Sequence, residues 1–196
     1  MSDVEIEKRL DAIVRLFCCL HGRDTFMASY TNLLALRLLN NTSVSNEAEE
    51  LMIKKLQVEC GHNTVNRIKT MFQDMMKSKD VIAEFKKTQN YLKLSKDQDI
   101  DFTAEILTSG HWPYQDVPKC KIPRQLGVMK DGFSQFYKNK FQNREIAWLY
   151  NHGSVNVATN YLNKKYQLVV NVFQTAILCL FNSTDSLTYG EIKERC

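Results

Sequence analysis

The stretch NYLKLSKDQDIDFTAEILTSGHWP, residues 90–113, marks a change of pattern in the chain. Its first half, 90–101, is polar and lysine-rich and reads as a linker. From Phe102 to Thr108, apolar Phe102, Ala104 and Ile106 alternate with polar Thr103 and Glu105, the period of two expected of a strand. Pro113, Pro118 and Pro123 are all the prolines the chain has, so the segment they occupy is expected to be an extended loop.

Upstream of this stretch, apolar residues recur every three or four positions. Val4 to Leu20 puts Ile6, Leu10, Ile13, Val14, Phe17 and Leu20 on one helical face, and Arg23 to Leu39 does the same with Phe26, Tyr30, Leu33 and Leu34. Asn40-Asn41 stops the second helix. Ser45 is suited to cap a third, with Glu47, Glu49 and Glu50 near its positive end, and that helix ends at Gly61. A fourth begins at Asn63 or Thr64, carries Val65, Ile68, Met71, Phe72 and Met75, and runs as far as Lys87. Short loops between such helices predict a bundle.

Downstream, Arg124 to Phe141 reads as a helix with Leu126, Met129, Phe133, Phe136 and Tyr137 on its apolar face. Glu145–Tyr150 and Ser154–Leu162 read as strands joined at Asn151-His152-Gly153, a hairpin signal. Tyr166–Val170 is a further strand, Phe173–Phe181 a short apolar helix, and Thr188 starts another. The expected class is mainly helical α+β: a helix bundle over 1–89, then a small α/β lobe over 101–182 with about four strands, then a short terminal piece, 183–196.

Hydrophobic residues make up 44% of the chain, enough for a packed core without covalent staples, and seven glycines and three prolines in 196 residues argue against disorder. Six cysteines, none in a CxxC pair, fit reduced thiols inside a cell better than a metal cage. The charged start, Met1 to Arg9, is unlike a signal peptide, and no apolar run reaches a membrane span's length. No phosphate loop, dinucleotide fingerprint, nucleophile elbow or HExxH is present. Cys60-Gly61-His62 has the wrong spacing for a zinc loop. Hence no catalytic residue, metal or cofactor is expected. Between Val117 and Arg144 the bases Lys119, Lys121, Arg124, Lys130, Lys138, Lys140 and Arg144 face one acid, Asp131, with aromatics between them. That pattern reads first as a helix with an aromatic core face and a solvated basic face, and next as a surface that attracts an acidic protein partner. A nucleic-acid protein using 117–144 is the alternative, although the mild net charge of +4 demands no nucleic acid.

Several motifs in order resemble the cullin homology region. They are Asp24-Thr25-Phe26 with Leu33 to Leu39; Met52 to Leu56 with Glu59-Cys60-Gly61; Met71 to Met75 with Ser78 and Phe85; Leu107-Thr108-Ser109-Gly110-His111-Trp112-Pro113; and Phe136-Tyr137, Arg144, Trp148, Phe173-Gln174, Ile177-Leu178 and Phe181-Asn182. The similarity covers nearly the whole chain and departs at Leu36, where the family has a second basic residue. It implies a non-catalytic scaffold in a ubiquitin ligase, in cytoplasm and nucleus. Its partners would be a RING-box protein, a ubiquitin-conjugating enzyme reached indirectly and a cullin-regulating exchange factor, with no membrane. The resemblance implies strand addition by the RING-box protein, for which Phe102, Ala104, Ile106, Thr108, Trp112, Tyr166, Leu168 and Val170 are the expected contacts. Lys119, Lys121, Lys130, Lys138 and Lys140 would form a basic surface that attracts the acidic tail of the conjugating enzyme. It also makes 183–196 the start of a winged-helix unit cut short. The family's modifier-accepting lysine would lie beyond Cys196, and its adaptor-binding repeats would lie before Met1.

Overall fold

A computed structural model describes residues 2–43, 45–114, 120–160 and 164–196. The chain divides into two compact units, residues 1–84 with 103–114, and residues 85–102 with 115–196. Among the described residues there are seven α-helices and one two-stranded antiparallel sheet, in keeping with the mainly helical α+β class. None of these helices is long and apolar enough to cross a membrane.

The first unit is built from α1 (Asp3–Cys19), α2 (Arg23–Leu39) and most of α3 (Asn46–Lys86). The helical stripes in the sequence become its interior. Val14 and Phe17 enter from α1, Met27, Leu34, Ala35 and Leu38 from α2, and Met52, Ile53, Leu56, Val65, Ile68, Met71 and Met75 from α3. Each large side chain so buried contributes about 1.5–3 kcal/mol relative to exposure. The Ser45 hydroxyl accepts from Ala48 N at 3.0 Å, capping α3 as expected. Asn41 takes a left-handed φ of 51° just past α2. The third and fourth expected helices are the two limbs of α3, broken at Gly61, whose φ of 78° and ψ of 170° only glycine adopts readily. A partly buried ion pair ties α2 to α3: Arg37 Nε and Nη2 reach Glu49 at 2.8 and 3.1 Å, and the Ser43 hydroxyl donates to the same carboxylate at 3.0 Å.

The second unit holds the end of α3, then α4 (Gln89–Gln98), α5 (Arg124–Lys140), a 3-10 turn at Tyr150–His152, β1 (Ser154–Ala158), β2 (Gln167–Asn171), α6 (Val172–Leu180) and α7 (Tyr189–Arg195). Its centre is aromatic: Phe85, Phe102, Phe133, Phe136 and Trp148 lie with ring centroids 5.2–6.3 Å apart in neighbouring pairs. Helices α4 and α5 approach so closely at Gly132 that a Cβ there would meet Leu94 Cδ1 at 2.6 Å. β1 and β2 pair with Val155 opposite Val170 and Val157 opposite Leu168, and α6 packs against both strands.

Five expectations need correction. The segment 90–101 is no linker; most of it is α4, capped by Thr88, whose hydroxyl accepts from Tyr91 N at 3.2 Å. Only Tyr91 of this helix is fully buried, so its sequence shows no apolar stripe. Among the described residues, the segment Phe102–Thr108 expected as a strand has no strand neighbour, and residues 145–149 form no strand. Trp148 instead places its ring against Phe133 at 6.0 Å. Alternation reports which side chains share a face, and it does not supply a second strand to pair with. The described sheet therefore has two strands, not about four, and the chain turns at 150–152 as a 3-10 turn instead of a hairpin.

Candidate partner-binding surfaces

Arg67, Asp74 and Ser78 are seven and four residues apart, so α3 presents them on one face. Together they hold the extended segment that follows. Ile106 N donates to Ser78 Oγ at 2.7 Å, and the same hydroxyl donates back to Ile106 O at 3.3 Å. Asp74 accepts from Thr108 N and Thr108 Oγ1, both at 2.8 Å, and from Trp112 Nε1 at 2.9 Å. Arg67 Nε donates to His111 O at 2.6 Å. Asp74 is 6% exposed and Ser78 1%, so these are buried polar groups whose bonding needs are met by the segment's backbone and Trp112. Asp74 and Ser78 were not expected as anchors. The signal in the sequence is a carboxylate and a hydroxyl set among Met71, Phe72 and Met75 on an otherwise apolar stripe.

In extended backbone, successive N–H and C=O groups point to opposite edges. Since Ile106 and Thr108 point their N–H groups at α3, those of Thr103, Glu105 and Leu107 point to the other edge. No backbone–backbone hydrogen bond forms from Phe102 to Leu107 among the described residues. The segment is thus extended backbone with one edge fixed by helix side chains and, among the described residues, no backbone partner on the other.

The expected contact residues fall in separate units. Ala104 and Ile106 are half-buried in the first unit; Thr108 and Trp112 there are bound to Asp74, and Trp112 stacks on Tyr114 at 6.2 Å. Phe102, Tyr166, Leu168 and Val170 belong to the second unit. Phe102 sits in the aromatic centre, Tyr166 and Leu168 are exposed, and Val170 is half-buried.

The basic residues do not act as one group. Lys119 lies outside the described residues. Lys121 donates from its backbone N to Cys196 O at 2.8 Å and from Nζ to Glu194 O at 2.9 Å, so it secures α7. Lys130 pairs with Asp131 at 3.3 Å. Lys138 and Lys140 occupy the last turn of α5, where cations offset the helix dipole, and Lys140 and Arg144 lie over the Phe141 ring at 5.6 and 5.0 Å. At the α3 kink, both His62 ring nitrogens lie near Gln57 Nε2, at 2.8 and 3.2 Å, and burial pushes the Cys60 thiol up, away from the reactive thiolate. Leu36, where the resemblance departs, is half-exposed on α2.

Comparison with known proteins gives two family matches: the cullin alpha solenoid domain over residues 1–82 and the cullin alpha+beta domain over 106–196. The chain is 35% identical over its full length to Cullin-3 of Dictyostelium discoideum, covering 25% of that protein. It is 36% identical over 98% of its length to Cullin-4A of Mus musculus, again covering 25%. It is 33% identical over 99% of its length to Cullin-3A of Arabidopsis thaliana, covering 26%. The chain thus spans about a quarter of these relatives. Matches that occupy both units, in the order the motifs run, show that the chain belongs to the cullin family.

Proposed function

We propose that this chain is a non-catalytic scaffold element of a ubiquitin ligase, which holds a RING-box protein by strand addition and so positions a ubiquitin-conjugating enzyme. The carrying observation is the extended segment Thr103–Thr108, bound along one edge only. Its inner edge is bound by Ser78 and Asp74, while its outer edge presents the N–H and C=O groups of Thr103, Glu105 and Leu107. An added strand satisfies such groups and gains affinity from main-chain hydrogen bonds. Holding a charged enzyme beside its substrate supplies rate through proximity, for which the scaffold needs no chemistry. The β2 edge with Tyr166, Leu168 and Val170 is the second place where a strand could add. Trp112 serves as a positioning residue, acting through Asp74 and not by touching the partner. Cytoplasm and nucleus, and an exchange factor as a further partner, belong to the same reading.

The test is co-expression with a RING-box protein, followed by size exclusion and thermal melting. Co-elution is expected, and partner at 100 times Kd should add about 2.7 kcal/mol, or roughly 5–10 °C in Tm. Glu105→Pro removes an outward N–H while leaving the Ser78 and Asp74 bonds, and should abolish the complex; Thr103→Ala should leave it intact. Ile106 is the wrong place for the proline, because Ser78 already uses that N–H. Separate elution with an unmoved Tm would end this reading.

A further inference from the structure

We infer that the outer edge of β2 pairs with the same strand of a second copy, forming a symmetric antiparallel dimer centred on Leu168. Thr159 N donates to Tyr166 O at 2.9 Å, which puts Thr159 and Tyr166 in the ladder as a hydrogen-bonded pair. Stepping by two along the register, Val157 with Leu168 and Val155 with Val170 are also hydrogen-bonded pairs. Gln167, Val169 and Asn171 therefore turn their N–H and C=O groups outward. Asn171 is already satisfied, because its N–H donates to Gln174 Oε1 at 2.9 Å and its carbonyl accepts from Thr175 Oγ1 at 2.9 Å, both at the start of α6. Among the described residues, the backbone groups of Gln167 and Val169 have no partner.

Only one symmetric antiparallel register lets these two residues satisfy each other. It places Gln167 opposite Val169 of the second copy, and so Leu168 opposite Leu168. Tyr166 then faces Val170, and Lys165 faces Asn171, so no like charges meet. The surface is otherwise unprotected. From Tyr166 to Thr184 the sequence has no charged residue, so the usual devices that blunt an edge strand are missing. Of the outward residues of β2, Val169 is 76% exposed, and the flanking Tyr166 and Leu168 are 52% and 40% exposed, whereas the outward residues of β1, Ser154, Asn156 and Ala158, are flanked by the half-buried Val155 and Val157. Apolar burial therefore favours β2 over β1. A pairing of this kind is self-complementary and closed, which gives a dimer and not a fibre. Four backbone hydrogen bonds and a short strand face make a small interface, so the dimer is weak.

Sedimentation equilibrium of the 196-residue chain should show dimer at about 100 µM and monomer below about 1 µM, the range of a small interface. Leu168→Lys and Leu168→Glu each set like charges opposite each other across the two-fold and should be monomeric alone. Mixed one to one, they should recover a dimer, because unlike charges then meet. Val169→Pro removes the outward N–H without taking a bond from the β1 ladder, so it should be monomeric with an unchanged far-ultraviolet spectrum. This variant decides the matter if the Leu168 substitutions disturb the hairpin. A wild-type chain that stays monomeric at 100 µM, a Val169→Pro dimer, or folded Leu168 variants whose mixture does not associate would each overturn the inference. So would a monomeric chain whose Leu168 variants lose only a RING-box partner, which would assign the edge to that protein.

Discussion

Asp74 shows how one side chain converts a helix face into a docking site for a strand. It is nearly buried and accepts from Thr108 N, Thr108 Oγ1 and Trp112 Nε1. Asp74→Ala would leave the Trp112 indole N–H and the Thr108 amide without acceptors in a water-poor place. The expected cost is about 3 kcal/mol, since bonds to a charged acceptor contribute about 1.5–3 kcal/mol and orphaned donors cost about as much. Urea unfolding should shift by that amount, with near-ultraviolet dichroism reporting a loosened tryptophan environment. A change below about 1 kcal/mol would mean that apolar packing, and not this carboxylate, holds the segment. The sequence offers both partners in plain view, but their spacing of 34 and 38 residues hides the contact.

At the scale of elements, α4 is held to the end of α3 by polar contacts. Asp101 accepts from Lys86 Nζ and from Tyr91 OH, the latter at 2.7 Å. The Lys86 ammonium and the Tyr91 hydroxyl hold the Asp101 carboxyl below the usual carboxylate range. The unfolded chain binds this proton more readily than the folded one, so the stabilisation is present above about pH 4 and lost as pH falls through the folded value. Lys86 is raised by the bond to Asp101, so its share is present at neutral pH and lost only as pH rises through its own folded value. The Asp101 side chain is 76% exposed, which limits the pair to about 0.2–1 kcal/mol. Asp101→Asn should melt slightly below wild type at pH 7 and together with it once the pH has fallen through the folded value of Asp101. A gap that persists in acid would refute the assignment. Elements with a broad apolar stripe were legible in the sequence: α2 runs over Arg23–Leu39 as read, and α1 and α5 differ from their reading by one residue at the ends. Helix α4 was not legible, because it buries one tyrosine and owes its place to Thr88, Gly132 and Asp101, none of which marks a helix interior.

For the whole molecule, the net charge of +4 acts on association more than on the fold. With Lys121 securing α7 and Lys130 paired, Lys138 in the last turn of α5 is an exposed basic residue at which steering can be tested. Lys138→Glu should slow binding of an acidic peptide measurably at low salt, and stopped-flow rates should converge near 0.5 M salt, where screening is nearly complete. A rate indifferent to both the reversal and the salt would remove steering from the account. The sequence by itself determined the helical first half, the α+β second half and the family, because apolar periodicity and local motifs are properties of neighbouring residues. Only the tertiary structure decided that Phe102–Thr108 lies against Asp74 and Ser78 without a strand neighbour, and that β1 pairs with β2 instead of with residues 145–149. Those outcomes depend on which backbone groups find partners far along the chain, and alternation within a segment carries no information about the partner.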